Sequence, residues 1–251
     1  MLRVDGQPAY VLHDRPYRET SLLLEVLTRD HGRVGLVARG VRSARPRIPR
    51  SLLKPLVALE LGWTGQGELG TLVAAEATAT PVRLQGRALW SALYLNELMV
   101  RLLARHDPHP GIHQRYGECL VELAAGGGLA WTLRRFERDV LGELGYGMQL
   151  EFEAGHGREL EPGALYSYDP ERGPLAWSAR PLAPAVHGAA LLALAGDACP
   201  DAAGLAELRR LMRAVLRHHL GGRDLNAWRM RAPSIFHSNA ISPPVRPRRR
   251  P

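Results

Sequence analysis

A chain of 251 residues with 45% hydrophobic and 23% charged side chains has the composition of a globular protein and the length of two ordinary domains, which excludes global disorder. Its 33 Lys and Arg against 25 Asp and Glu give a formal charge of +8 and a pI near 10.2, a field that favours polyanionic partners. Cys119 and Cys199 are far apart and in no metal-ligand spacing, so a disulfide framework and a structural zinc site are both disfavoured. The charged, proline-containing N-terminus and the lack of a long apolar run predict neither signal peptide nor membrane span, hence a cytoplasmic protein.

The first eighty residues read as β structure. Short runs of Val, Leu, Ile and Thr between turn signals predict strands at 9–14, 20–28, 33–39, 53–62 and 69–77, with Arg29 to Gly32 as a hairpin turn. Five short strands suit a small closed barrel. Residues 62–67 form a Gly-rich connector, and the proline- and arginine-rich stretch 41–49 cannot be a central strand. After Pro81 the apolar period changes from two to about 3.6, which sets a boundary between a domain at 1–80 and a mainly helical one at 81–237. Helices are predicted at 84–105, 111–125 and 130–144, with Gly145 as a left-handed cap, then a hairpin at 165–177 and helices at 185–195 and 205–220. The Pro- and Arg-rich stretch 238–251 has too little apolar content to fold and reads as a disordered tail. The fold class is therefore α+β: a five-stranded barrel of the OB type followed by a helical domain.

No catalytic motif emerges. The serines lack a nucleophile-elbow context and no phosphate-binding loop occurs. Glu118, Glu122 and Asp139 are assigned to separate helices rather than to one metal site, so an enzyme is disfavoured. His106, Asp107, His109 and His113 crowd one loop, but two prolines there point to turn formation and helix capping rather than to a metal.

The strongest constellation is electrostatic. Arg39, Arg42, Arg45, Arg47, Arg50 and Lys54 span sixteen positions without an acidic residue, and Arg15, Arg18 and Arg33 would join them if the first three strands curl together. Guanidinium groups pair with phosphate bidentately and keep their charge at any pH, so this set is the candidate DNA-binding surface. Aromatic residues are few here, which predicts backbone-driven binding with little sequence preference. A second constellation, Leu133-Arg134-Arg135-Phe136, sets a basic rim beside an apolar helix face, suited to an acidic peptide with a hydrophobic end and a free carboxylate. A solvated amphipathic helix has the same pattern.

Several stretches carry a family resemblance: Tyr10 through Ser21, Gly32-Arg33-Val34, Val37 through Ser43, Gly65 through Leu69, Tyr94 through Leu98, Leu133 through Glu137, Leu144 through Gly147, and Leu220 through Leu225. In this order, over about residues 9 to 225, the chain resembles the RecO family. The resemblance implies an OB-fold and a helical domain, binding to single- and double-stranded DNA, and annealing of complementary strands, including strands coated by single-stranded-DNA-binding protein (SSB). It also implies partnership with RecR, and in some members RecF, in loading RecA at the nucleoid. By motif, Arg134 and Arg135 would receive the acidic C-terminal tail of SSB. An adaptor that docks SSB or RecR, with only incidental DNA contact, is the alternative. Where some relatives hold zinc with four cysteines, residues 152–157 contain none, so no metal and no other cofactor is expected.

Overall fold

The computed structural model describes residues 3–65, 67–178 and 184–229, so the tail at 238–251 lies outside the described residues. Five strands, β1 (Arg3–Tyr17), β2 (Ser21–Thr28), β3 (Gly32–Ala38), β4 (Ala58–Thr64) and β5 (Leu69–Ala77), close in the order β1-β2-β3-β5-β4. All pairings are antiparallel except β3 with β5, which is parallel and short. This is the expected five-stranded, OB-like barrel.

Strand β1 is longer than the sequence pattern suggests, because it pairs on both edges and bends at two register shifts, Val4/Gln7 and Val11/His13. Those shifts break the two-residue alternation on which a strand reading depends. Strand β2 is buried at almost every position for a different reason. Leu22, Leu24 and Val26 fill the barrel, whereas Leu27, with Leu12 of β1, faces outward into the helical core.

The helical part comprises α1 (Gly86–Leu102), α2 (Pro110–Ala125), α3 (Leu129–Glu143), α4 (Gly188–Ala195) and α5 (Ala202–His219), with a three-stranded sheet ordered β7-β6-β8 inserted between α3 and α4. Its strands are β6 (Leu165–Asp169), β7 (Gly173–Ala176) and β8 (Ala185–His187). The predicted helix at 185–195 is thus divided: Val186 pairs with Tyr166 on the sheet edge before the chain turns into α4. Gly145 takes the left-handed conformation (φ +81°) expected after α3.

Barrel and helices share one core. Leu12 and Leu27 pack in the same cluster as Leu95, Tyr116 and Phe136. Asn96 Nδ2 donates to the Leu12 carbonyl at 2.9 Å and its Oδ1 accepts from the Tyr116 hydroxyl; both residues are buried. Beyond α1, residue 105 bridges in parallel to Arg33 and His106 N donates to the Arg33 carbonyl at 3.0 Å. The histidine- and proline-rich loop therefore serves as a short extension of the barrel wall, although His109, at the N-cap of α2, makes no side-chain cap.

Candidate nucleic-acid interface and helical groove

The antiparallel order of the barrel brings the end of β1, the start of β2, the end of β3 and the start of β4 to one end of the cylinder. The β1–β2 turn and the 39–57 connection therefore lie together, joined by a hydrogen bond from Arg42 N to the Thr20 carbonyl at 2.9 Å. Val41 and Leu53 are buried in the barrel core, and Ile48 and Leu52 pack against it. These apolar anchors fasten the connection at both ends and in the middle, while Arg39, Arg42, Arg45, Arg47, Arg50 and Lys54 between and beside them are all exposed. Arg15 and Arg18 are exposed at the same end, the Arg18 guanidinium 5.3 Å from the Tyr17 ring centroid. Among the described residues none of these eight side chains has a carboxylate at salt-bridge distance, in contrast to most arginines of α2 and α3. A cation without an internal partner keeps its charge available to an external phosphate.

Arg33 departs from the expected set. It sits at the far end of β3, six residues from Arg39, which is about 20 Å at roughly 3.3 Å per strand residue. Its Nε donates to the Leu103 carbonyl at 3.0 Å and its Nη1 to Glu25 at 2.5 Å, while Arg105 donates to the other oxygen of Glu25. With a side chain only 14% exposed, Arg33 clamps the barrel to the helical domain.

The second candidate pair is divided by the helix itself. Consecutive residues on α3 diverge by about 100°. Arg134 faces a cleft of about 340 Å³ between α1, α3, α5 and the 3-10 turn Asn226–Trp228. Arg135 faces the other way, donating to Asp197 at 2.9 Å and lying 3.5 Å from Glu122.

Trp90, Leu133 and Trp228 give the cleft apolar walls, and Arg87, Arg209 and Arg213 supply positive charge. The Arg213 guanidinium lies 5.0 Å from the Trp228 ring centroid. Glu97 of α1 accepts from the backbone N–H groups of Asn226 and Ala227 at 2.7 and 2.9 Å, and so fixes the 3-10 turn that carries Trp228. On the floor, Glu137 Oε1 accepts from Arg134 Nη2 at 2.5 Å and from the Tyr94 hydroxyl at 2.6 Å. Burial pushes the Glu137 carboxyl above its usual range, against the opposing pull of Arg134, Tyr94 and Arg209. The same burial raises the Tyr94 hydroxyl. Arg209 and Arg213, four apart on α5, were readable by helical spacing as one basic face; Trp228, delivered by a 3-10 turn, carried no periodic signal.

Glu118, Glu122 and Asp139, assigned by sequence to separate places, converge on one guanidinium. Arg115 meets Asp139 at 2.9 Å, Glu122 at 2.8 Å and Glu118 at 3.4 Å. Helices α2 and α3 pack side by side, and an arginine with five donors gathers carboxylates from both. Among the described residues no group of three or more His, Cys, Asp or Glu side chains is placed to hold a metal ion. Also among them, no helix is long and apolar enough to cross a membrane. Cys119 is buried and Cys199 exposed.

Residues 3–81 match the family described as "Recombination protein O N terminal", and residues 83–229 match "Recombination protein O C terminal". The chain is 47% identical over 230 residues to the DNA repair protein RecO of Stenotrophomonas maltophilia strain R551-3, covering 90% of this chain and 96% of that one. It is 46% identical over 231 residues to the DNA repair protein RecO of Xanthomonas euvesicatoria pv. vesicatoria strain 85-10, covering 90% and 96%. With an OB-like barrel, a helical domain and both family matches in chain order, the protein belongs to the RecO family of DNA repair and recombination proteins.

Proposed function

We propose that this chain is a non-enzymatic recombination mediator of the cytoplasm and nucleoid, which binds single- and double-stranded DNA through the basic end of its barrel and anneals complementary strands, including SSB-coated ones. In this reading it acts with RecR, and with RecF where that protein participates, to help load RecA. The observation that carries it is the 39–54 stretch: six exposed cations without carboxylate partners among the described residues, held in place by the buried Val41 and Leu53. Annealing needs no covalent step. Two strands repel each other along their phosphates, and a surface that neutralises one backbone while leaving its bases accessible lowers that barrier. The helical groove supports the SSB contact, because Trp90, Leu133 and Trp228 suit a hydrophobic end and Arg134 with the surrounding arginines suits a carboxylate.

The adaptor alternative is favoured by that same groove, which could tether the chain to SSB without any DNA contact. Annealing of complementary oligonucleotides, bare and SSB-coated, without nucleotide or metal separates the two. A mediator accelerates both, and Arg134→Ala abolishes only the SSB-dependent part. A folded chain that does not anneal bare DNA leaves the adaptor as the reading.

A further inference from the structure

We propose that Glu137 is a proton-linked gate on the helical groove: an anionic peptide end enters beside Arg134 as Glu137 takes up one proton. This rests on the reading of the groove as a site for an acidic peptide and adds the residue that governs its occupancy.

The geometry begins with two unsatisfied atoms. Arg134 Nε and Glu137 Oε2 are buried side-chain atoms with no hydrogen-bond partner among the described residues, and both residues line the cleft. The residues are 7% and 0% exposed. A buried donor and a buried acceptor without partners, on two residues that line one cleft, each carry a desolvation penalty that an incoming group can relieve. A carboxylate can accept from Arg134 Nε. It cannot approach an ionised Glu137 Oε2 without like-charge repulsion in a water-poor site. A solvent proton on Oε2 changes both terms at once. The charge is removed, and the new O–H donates to the incoming carboxylate, while Oε1 keeps its bonds from Arg134 and Tyr94.

Among the described residues the charged and titratable groups facing Glu137 are Arg87 and Tyr94 from α1, Cys119 from α2, Arg134 from α3, and Arg209 and Arg213 from α5; the 3-10 turn contributes Trp228 and no charge. Arginines stay protonated through the neutral range, and burial moves the Tyr94 hydroxyl and the Cys119 thiol further above it. No histidine lines the cleft among the described residues. Glu137, raised by its burial, is therefore the group in the cleft whose protonation an arriving carboxylate can change.

Isothermal titration calorimetry of the full chain tests this, using a synthetic peptide of three aspartates ending in phenylalanine with a free carboxylate. Titrations at pH 6.5, 7.5 and 8.5, each in two buffers of different ionisation enthalpy, count protons directly. The expected result is uptake of close to one proton at the higher pH values, with Kd rising about tenfold per pH unit there. Glu137→Gln is expected to bind with a flat pH profile and more tightly than the wild type at pH 8.5. Binding without proton uptake, or an unchanged slope in a folded Glu137→Gln chain, overturns the gate and leaves the peptide reading intact. A peptide that fails to bind the wild type at every pH overturns the peptide reading and the gate with it. If Glu137→Gln does not fold, the wild-type proton count decides alone.

Discussion

Gly32 shows how one backbone position ties the two domains. It closes the β2–β3 hairpin with φ +65°, and its carbonyl accepts from the Thr28 hydroxyl at 2.7 Å. A Cβ built there would lie 2.1 Å from the Asp107 carbonyl oxygen, on the segment that extends the barrel wall. Gly40 has nearly the same φ, +68°, with no atom within 4 Å of such a Cβ. The pair separates the cost of backbone strain from that of collision. Gly40→Ala is expected to cost about 1 kcal/mol from strain alone, and Gly32→Ala at least about 2 kcal/mol more, because the 103–107 segment and its bonds to Arg33 must move. Urea denaturation of both variants checks this; equal midpoints would mean that the segment yields freely. A glycine in a turn was legible in the sequence, but the neighbour that makes it irreplaceable lies seventy-five residues away. Arg33 and Arg134 were obscured for the same reason. Charge alone does not reveal that Glu25 and Glu137 already hold them.

At the scale of elements, the pattern succeeded wherever one face is buried and the other is wet. Helices α1, α2, α3 and α5 and the barrel strands β2, β3 and β5 lie close to their predicted places. It failed where an element is shared: β1 is extended by pairing on two edges, and β8 borrows the first residues of what reads as a helix. The 39–57 connection was legible as a basic loop, although its anchoring was not, since Val41 and Leu53 are apolar residues in irregular chain. That anchoring yields a sharp test. Changing Arg42, Arg45 and Arg47 together to Glu leaves the buried anchors untouched, so the thermal midpoint should hold. Binding to single-stranded DNA at 50 mM salt should weaken by at least roughly tenfold, and the logarithmic salt slope should shrink by about 3. Fluorescence anisotropy measures both. Unchanged affinity and slope would move the interface to another face of the molecule.

Across the whole molecule, the change of apolar period near residue 80 gives no sign that barrel and helices share a core, because Leu12 and Leu27 read as ordinary strand residues. That junction contains a titratable group. His113 of α2 lies 5.1 Å, ring to ring, from Tyr10 of β1, and its Nε2 is buried with no partner among the described residues. Burial, with a smaller push from Arg29 and a weak opposing pull from Asp30, lowers its pKa to about 4. The unfolded chain protonates this imidazole near the ordinary value of about 6.5. Between these two values the unfolded state binds more protons, so His113 contributes stability that is present above about 6.5 and is lost as pH falls toward 4. The ring is partly exposed, so the loss between pH 7 and pH 5 should be about 1 to 2 kcal/mol after allowance for solvent screening. His219, lowered mainly by burial and stacked on Tyr146, loses stability in the same direction. His219→Gln therefore serves as the companion variant. Urea midpoints at pH 7, 6 and 5 are expected to fall for the wild type, to fall less for His219→Gln, and to flatten most for His113→Gln. Because Tyr10 belongs to the barrel and His113 to the helices, that flattening should appear in a single transition reporting both domains. Two separate transitions, or a slope in His113→Gln equal to that of the wild type, would show that the junction is not what acid loosens.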